Sequence, residues 1–200
     1  MLSSIHPLGE RGRHSRYELT VAAYVVGSAL GGLAVGSAFG AVGRAVASLI
    51  PLTTVQLAVL VLVVAVAGVL LDARVGRLKV PSYHRQVNED WLNRYRGWVY
   101  GMGFGLQLGL AFVTIVPTAS IYAAFLLAGL SGSVATGATV GAVFGVVRSL
   151  MILTMARVDS PEALRTAHRR LASAAAGAHR VAVGAQAAVA LSMIGVLAWL

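Results

Sequence analysis

The sequence contains no cysteine. That excludes disulfides, thiolate metal ligation and thiol redox chemistry carried by this chain. Charge is nearly as scarce. Charged residues make up 12% of the sequence, against roughly 25% in an ordinary soluble domain. The few charges are also bunched. Between Arg16 and Asp72 stand only Glu18 and Arg44, residues 97–147 carry none, and none follows Arg180. A soluble fold cannot clothe blocks of that length with water-facing groups, whereas about 20 consecutive apolar residues cross the hydrocarbon of a bilayer. Catalytic signatures are missing too. There is no His-Glu-x-x-His, no Gly-x-Ser-x-Gly and no Walker sequence. The histidines, His6, His14, His84, His168 and His179, all fall in basic segments between or before the apolar blocks. The expectation is a chain that is not an enzyme and holds neither metal nor cofactor. Asp72, the carboxylate close to a span that could have an internal role, is expected to pair with Arg74 or a neighbouring arginine.

What is abundant points the same way. Hydrophobic residues make up 58% of the chain, with 23 glycines among 200 residues. The fold class expected is all-α: a polytopic transmembrane helix bundle of about five spans, within a range of five to seven. Residues 1–17 read as a mobile basic tail. No cleavage site is evident after it, so the first helix is expected to stay as an uncleaved anchor. Spans are expected over 18–49 and 54–71, separated at Pro51, because proline disfavours helix in the residue before it. A third, 97–131, is interrupted at Pro117. The fourth covers 134–156 and the last 181–200, with Gln186 as its strongest polar group. Glycines 101, 103, 105 and 109 lie in an apolar span without the strand and helix start of a nucleotide loop, and read as close helix–helix approach.

The net charge of +9 sits in the gaps between apolar blocks. It therefore reads as positive-inside anchoring and attraction to anionic lipid head groups, with no nucleic-acid partner. Placing the tail, the 72–97 linker and the 157–180 loop on one side gives five crossings. The protein is then a multi-pass component of the cytoplasmic (plasma) membrane with its N-terminus in the cytoplasm. In the linker, Val87, Trp91, Tyr95 and Trp98 share one helical face, which suits either an interfacial helix or aromatics packed on the protein's own helices. The start of the 157–180 loop, Ser160-Pro161-Glu162, has the form of a helix N-terminus.

The two long blocks echo one another. Gly40-Ala-Val-Gly-Arg44 and Gly141-Ala-Val-Phe-Gly-Val-Val-Arg148 each place a Gly-Ala-Val ahead of a lone arginine, as an internal repeat would. A charge inside a span costs a few kcal/mol. Arg148 is therefore expected to face the bundle interior, as a substrate contact or as a side chain binding carbonyls at a helix break. Arg44, nearer a helix end, is the weaker candidate. Pro117 frees a backbone carbonyl, and Thr114, Thr118 and Ser120 put hydroxyls beside it. The candidate substrate-binding set is thus Thr114, Pro117, Thr118, Ser120, Arg148 and Arg44.

The run from Gly105 through Val-Pro117-Thr118-Ala to Gly129-Leu-Ser131 resembles the signature helix of the cytochrome c biogenesis and thiol-reductant transmembrane family, the CcdA/DsbD group. Relatives encoded with methylamine utilisation share the general pattern. The resemblance implies a repeat-built helical body with a glycine-rich helix broken at Pro-Cys. Here Thr118 stands at the position of that cysteine, so dithiol exchange is chemically closed to this chain. Two functional readings follow. One is a small transporter- or permease-like protein working around the Pro117 break. The other is a non-catalytic structural or assembly subunit of a membrane complex. In either case a homo-oligomer or a membrane-complex partner is expected.

Overall fold

The computed structural model describes residues 5–75, 80 and 90–200, and every regular element among them is helical. Helix α1 is Pro7–Gly12, α2 Tyr17–Leu49, α3 Thr54–Asp72, α4 Trp91–Arg94, α5 Gly97–Gly109, α6 Ser120–Leu130, α7 Val134–Ser149 and α8 Pro161–Trp199. A 3-10 turn, Leu150–Met155, prolongs α7. Four segments are long and apolar enough to cross a membrane: α2, α3, α7 with its 3-10 extension, and α8. The all-helical polytopic bundle expected from the sequence is what the chain forms.

Helix α2 is the axis of the bundle. It has 33 residues, about 50 Å at 1.5 Å per residue, more than the ~30 Å of a hydrocarbon core. It ends where Ile50, restrained by Pro51, turns extended. Helix α3 then starts on a reciprocal capping box between Thr53 and Gln56.

Helix α7 runs antiparallel along α2 on matched stripes of small residues. Gly32 lies at Gly141, Gly36 at Gly137, Gly40 at Ser133 and Gly145 at Ser28. A methyl group placed on Gly32 or Gly36 would land on the opposing carbonyl oxygen, so the backbones approach as only glycine permits. Ser28 Oγ adds a buried hydrogen bond to the Gly145 carbonyl at 2.7 Å. The two stripes, Ser28-Gly32-Gly36-Gly40 and Ser133-Gly137-Gly141-Gly145, have the same spacing and face each other in opposite directions, a local two-fold relation. The echo read from the sequence is a different alignment, Gly40 with Gly141 and Arg44 with Arg148.

The segment 97–131 climbs the other side of α2. Gly97 and Gly101 meet Thr20, Gly105 meets Tyr24 and Gly109 meets Ser28; beyond the break, Phe125 packs on Phe39 and Gly129 lies at Gly43. Helices α5 and α6 therefore form one path parallel to α2, interrupted midway. Gly101, Gly105 and Gly109 serve close approach to α2, as expected, while Gly103 lies under the Trp91 ring. Helices α3 and α8 pack on each other at the flank of α6, and α3 leaves Val59, Val63, Val66 and Leu70 exposed, the surface that a bilayer covers.

Two segments depart from expectation, and a third meets one of its two readings. Residues 161–180 are not a loop: α8 runs unbroken from Pro161 to Trp199, capped by Ser160, whose Oγ accepts from Ala163 N at 3.2 Å. The alanine-rich stretch favours helix strongly, and its arginines project outward from it. The N-terminal tail is docked in its described part, Ile5 being fully buried and Leu8 N bonded to the Val158 carbonyl. Of the linker face, Val87 lies outside the described residues, whereas Trp91 stacks on Phe104 and so packs on the protein's own helices.

Candidate functional site at the helix break

Between Leu110 and Ala119 the chain leaves the helix. Ala111 has φ +56°, a left-handed conformation that an alanine adopts only at a steric penalty, and it is fully buried. Proline at position 117 prevents an early return to helix. The stretch lies about halfway along α2, between the levels of Ser28 and Phe39. Phe112 anchors it, packed against Phe39, Tyr122 and Phe125 with ring centroids 5.3–5.9 Å apart, and Phe125 meets Phe144 edge-on at 5.1 Å.

Arg148 reaches across from α7 to this stretch. Its Nη1 donates to the Leu108 carbonyl at 3.2 Å; its Nη2 donates to Thr114 Oγ1 and to the Ile115 carbonyl, both at 3.1 Å. The guanidinium also lies 5.6 Å from the Phe144 ring centre, within cation–π range. One rigid fork thus satisfies carbonyls on both sides of the departure from helix. This is the carbonyl-binding arrangement anticipated for an arginine at a helix break. Thr114 is buried and within the clamp. Thr118 and Ser120 pair with each other, hydroxyl to hydroxyl at 2.5 Å, and Pro117 is exposed beside them. Arg44 is not part of the constellation. It is exposed, adjoining Gly43, which meets the far end of α6 at Gly129.

The other end of the break is held by a group that the sequence reading assigned elsewhere. Asp72 pairs not with Arg74 but with α6 and α8. Its Oδ1 accepts from Ala119 N at 2.6 Å and its Oδ2 from Gln186 Nε2 at 2.7 Å, while His179 Nε2 donates to its main-chain carbonyl at 3.0 Å. Ala119 is the N-cap of α6 and has no side chain to cap it. The carboxylate supplied from α3 takes that place, where an anion also suits the helix dipole. The close approach is possible because residue 68 is glycine: a Cβ there would collide with the Gln186 amide.

A second polar cluster closes the end of the bundle that carries the N-terminus. Glu10 is fully buried. Its carboxylate accepts from Tyr100 Oη at 2.6 Å, Thr20 Oγ1 at 2.8 Å and Arg13 Nη2 at 2.7 Å. Nearby, His6 Nδ1 accepts from Gly9 N at 3.1 Å and caps α1. Burial, and secondarily the Arg13 charge, hold the His6 imidazole below its ordinary value of 6.5. Sequence reasoning missed this cluster. Its available signal was a single acid in an otherwise basic tail, after a His-Pro helix start.

The geometry defines a class: a polytopic α-helical membrane protein built around a proline-broken helix, without thiols. The family model described as cytochrome C biogenesis protein transmembrane region matches residues 3–196, and the chain belongs to that family. Among curated proteins it is similar to the methylamine utilization protein MauF of Methylophilus methylotrophus, 34% identical over 155 residues, covering 76% of this chain and 53% of the relative. It is likewise similar to MauF of Paracoccus versutus, 34% identical over 154 residues, with 75% and 56% covered. The chain spans about half the length of these relatives. No solved structure matches it.

Proposed function

We propose that this chain is a small, cysteine-free, permease-like membrane protein whose working part is the broken segment 110–119. The observation that carries the reading is irregular backbone placed midway along the central helix and lined by hydroxyls, carbonyls and a guanidinium. Backbone outside a helix is tolerated at membrane depth where protein or a water-filled cavity satisfies its polar groups, and discontinuous helices of this kind form the substrate sites of many transporters. Thr114, Thr118 and Ser120 are the substrate-facing groups in this reading, and Arg148 positions the segment. The likeness to proteins named for methylamine utilization supports a role in that process or in one derived from it. By the basic segments, the protein sits in the cytoplasmic membrane with its N-terminus inside, and its basic face meets anionic lipid.

The alternative is a structural or assembly subunit of a membrane complex. It is favoured by one observation: the donors of Arg148 seen at the break are committed to the bundle itself.

The absence of cysteine makes the test clean. A single cysteine replaces Thr118, and another, as control, replaces the exposed Val63 on α3. Sealed vesicles are then treated with a membrane-impermeant maleimide. The permease reading predicts labelling at 118 and none at 63. Folded protein unlabelled at 118 from both faces would leave the packed subunit as the better account.

A further inference from the structure

Helix α8 does not lie flush on the bundle at its start. Between its first turns and the 3-10 turn that prolongs α7, the surface opens into a groove of about 670 Å³, within the ~300–1,000 Å³ range of sites that take small organic ligands. The wall on α8 follows from sequence spacing. Ala163, Ala167, Leu171 and Ala174 recur every three or four residues and so share one helical face. Val158, itself buried, lines the opposite side. All five side chains are apolar.

Two arginines converge on this apolar groove from different elements. Arg157 follows the 3-10 turn, Arg170 stands on α8, and both line the groove. Both are exposed, and among the described residues neither forms an ion pair. Glu162 also lines the groove, so its charged groups sum to a net positive site. The remaining arginines of this part of α8 fall elsewhere. Arg165 lies on the face opposite Ala163 and Ala174, and Arg180 lies beyond the groove's last residue.

The level of the groove in the membrane follows from α7. The candidate span Val134–Met155 ends two residues before Arg157, so the groove opens where hydrocarbon gives way to head groups. Leu150, Met151 and Leu153, on the preceding turn, are exposed on the hydrocarbon side. An apolar trough at that level, with two guanidinium groups at its mouth, suits a molecule with a tail and an anionic head. A tailless anion leaves the trough unfilled, and a zwitterionic lipid brings its own cation toward the arginines. Basic pockets between membrane helices bind anionic head groups, and the planar fork of arginine matches phosphate oxygens in pairs.

We propose that this groove is a specific site for an anionic phospholipid, with its phosphate between Arg157 and Arg170 and one acyl chain along Ala163, Ala167 and Leu171. The bound lipid fills the gap between α8 and the end of α7, and so joins α8 to the bundle along a second seam, beside its contact with α3. The proposal rests on the meeting of the basic face with anionic lipid stated above and gives it a place. It is independent of the permease reading.

The cysteine-free chain allows a direct test. Ala167→Cys places a single thiol in the groove, where it is labelled with bimane. The full chain is reconstituted in phosphatidylcholine vesicles, with a fixed fraction of the lipid replaced by chain-brominated phosphatidylglycerol or, separately, by chain-brominated phosphatidylcholine. Bromine quenches only at close range, so the signal reports which acyl chain lies at position 167. Phosphatidylglycerol is expected to quench several-fold more than phosphatidylcholine, and Arg157→Gln/Arg170→Gln is expected to abolish the preference. The charge-matched pair Arg165→Gln/Arg180→Gln keeps it. On the exposed face of α3, with Val63→Cys as the label site, the two lipids quench alike. Equal quenching by the two lipids at position 167 overturns the site and the attraction together. A preference lost equally in both double variants overturns the site alone and leaves diffuse attraction. A preference that survives Arg157→Gln/Arg170→Gln overturns it as well.

Discussion

Arg148 lies within a candidate span, where an unpartnered cation costs a few kcal/mol. The protein resolves that by making the charge a fork for the oxygens that the break leaves unsatisfied. A lysine offers one compact ammonium and cannot bridge Leu108 and Ile115 in that geometry. Arg148→Lys is therefore expected to destabilise the folded protein by about 2 kcal/mol, the scale of a charge-assisted hydrogen bond lost in a buried site, read as a shift in denaturation midpoint in bicelles. At His6 the sign of a pH effect follows from its lowered value. Only the neutral ring can accept from Gly9. Released from its pocket the ring titrates at its ordinary value, so the docked segment loses stability as pH falls below 6.5, and holds it in full above. A spin label on a cysteine at the partly exposed Leu8 should become mobile on acidification, and His6→Ala should abolish the response. The sequence made Arg148 and the hydroxyls near Pro117 legible because a lone charge and a lone proline stand out in an apolar block. Asp72, Gln186 and Glu10 were named or passed over without their partners, since those partners lie up to 114 residues away and no local pattern records them.

Helices were readable where their punctuation is local. Pro51 ends α2, the Thr53 box starts α3, Ser133 starts α7, and Ser160-Pro161 starts α8. The length of α8 was not, because positive charge was taken as the mark of a loop, although alanine and arginine are both good helix formers. The glycines divide by element in a way that invites comparison. Gly36 faces the Gly137 carbonyl with no room for a methyl, whereas Gly184 on α8 has open space around its Cβ position. Gly36→Ala should cost about 1–3 kcal/mol, as overpacking does. Gly184→Ala should be neutral or gain up to about 1 kcal/mol from helix propensity. Thermal unfolding in the same detergent compares the two directly, and equal effects would contradict the packing described for α2 and α7.

At the scale of the molecule, membrane character and the five paths were legible because insertion depends on hydropathy and length, which are properties of the sequence itself. The docking of the N-terminal segment and the hold of Asp72 on the break were not, because both depend on how distant helices meet. In the permease reading proposed above, segment 110–119 is a water-reachable break, held by Arg148 on one side and Asp72 on the other. The most direct test labels a cysteine at Thr118 from each face of sealed vesicles, in the otherwise unchanged protein and with Arg148→Gln. The account predicts labelling in both, several-fold faster when the clamp is cut. No labelling in either, or a rate indifferent to Arg148, would contradict it.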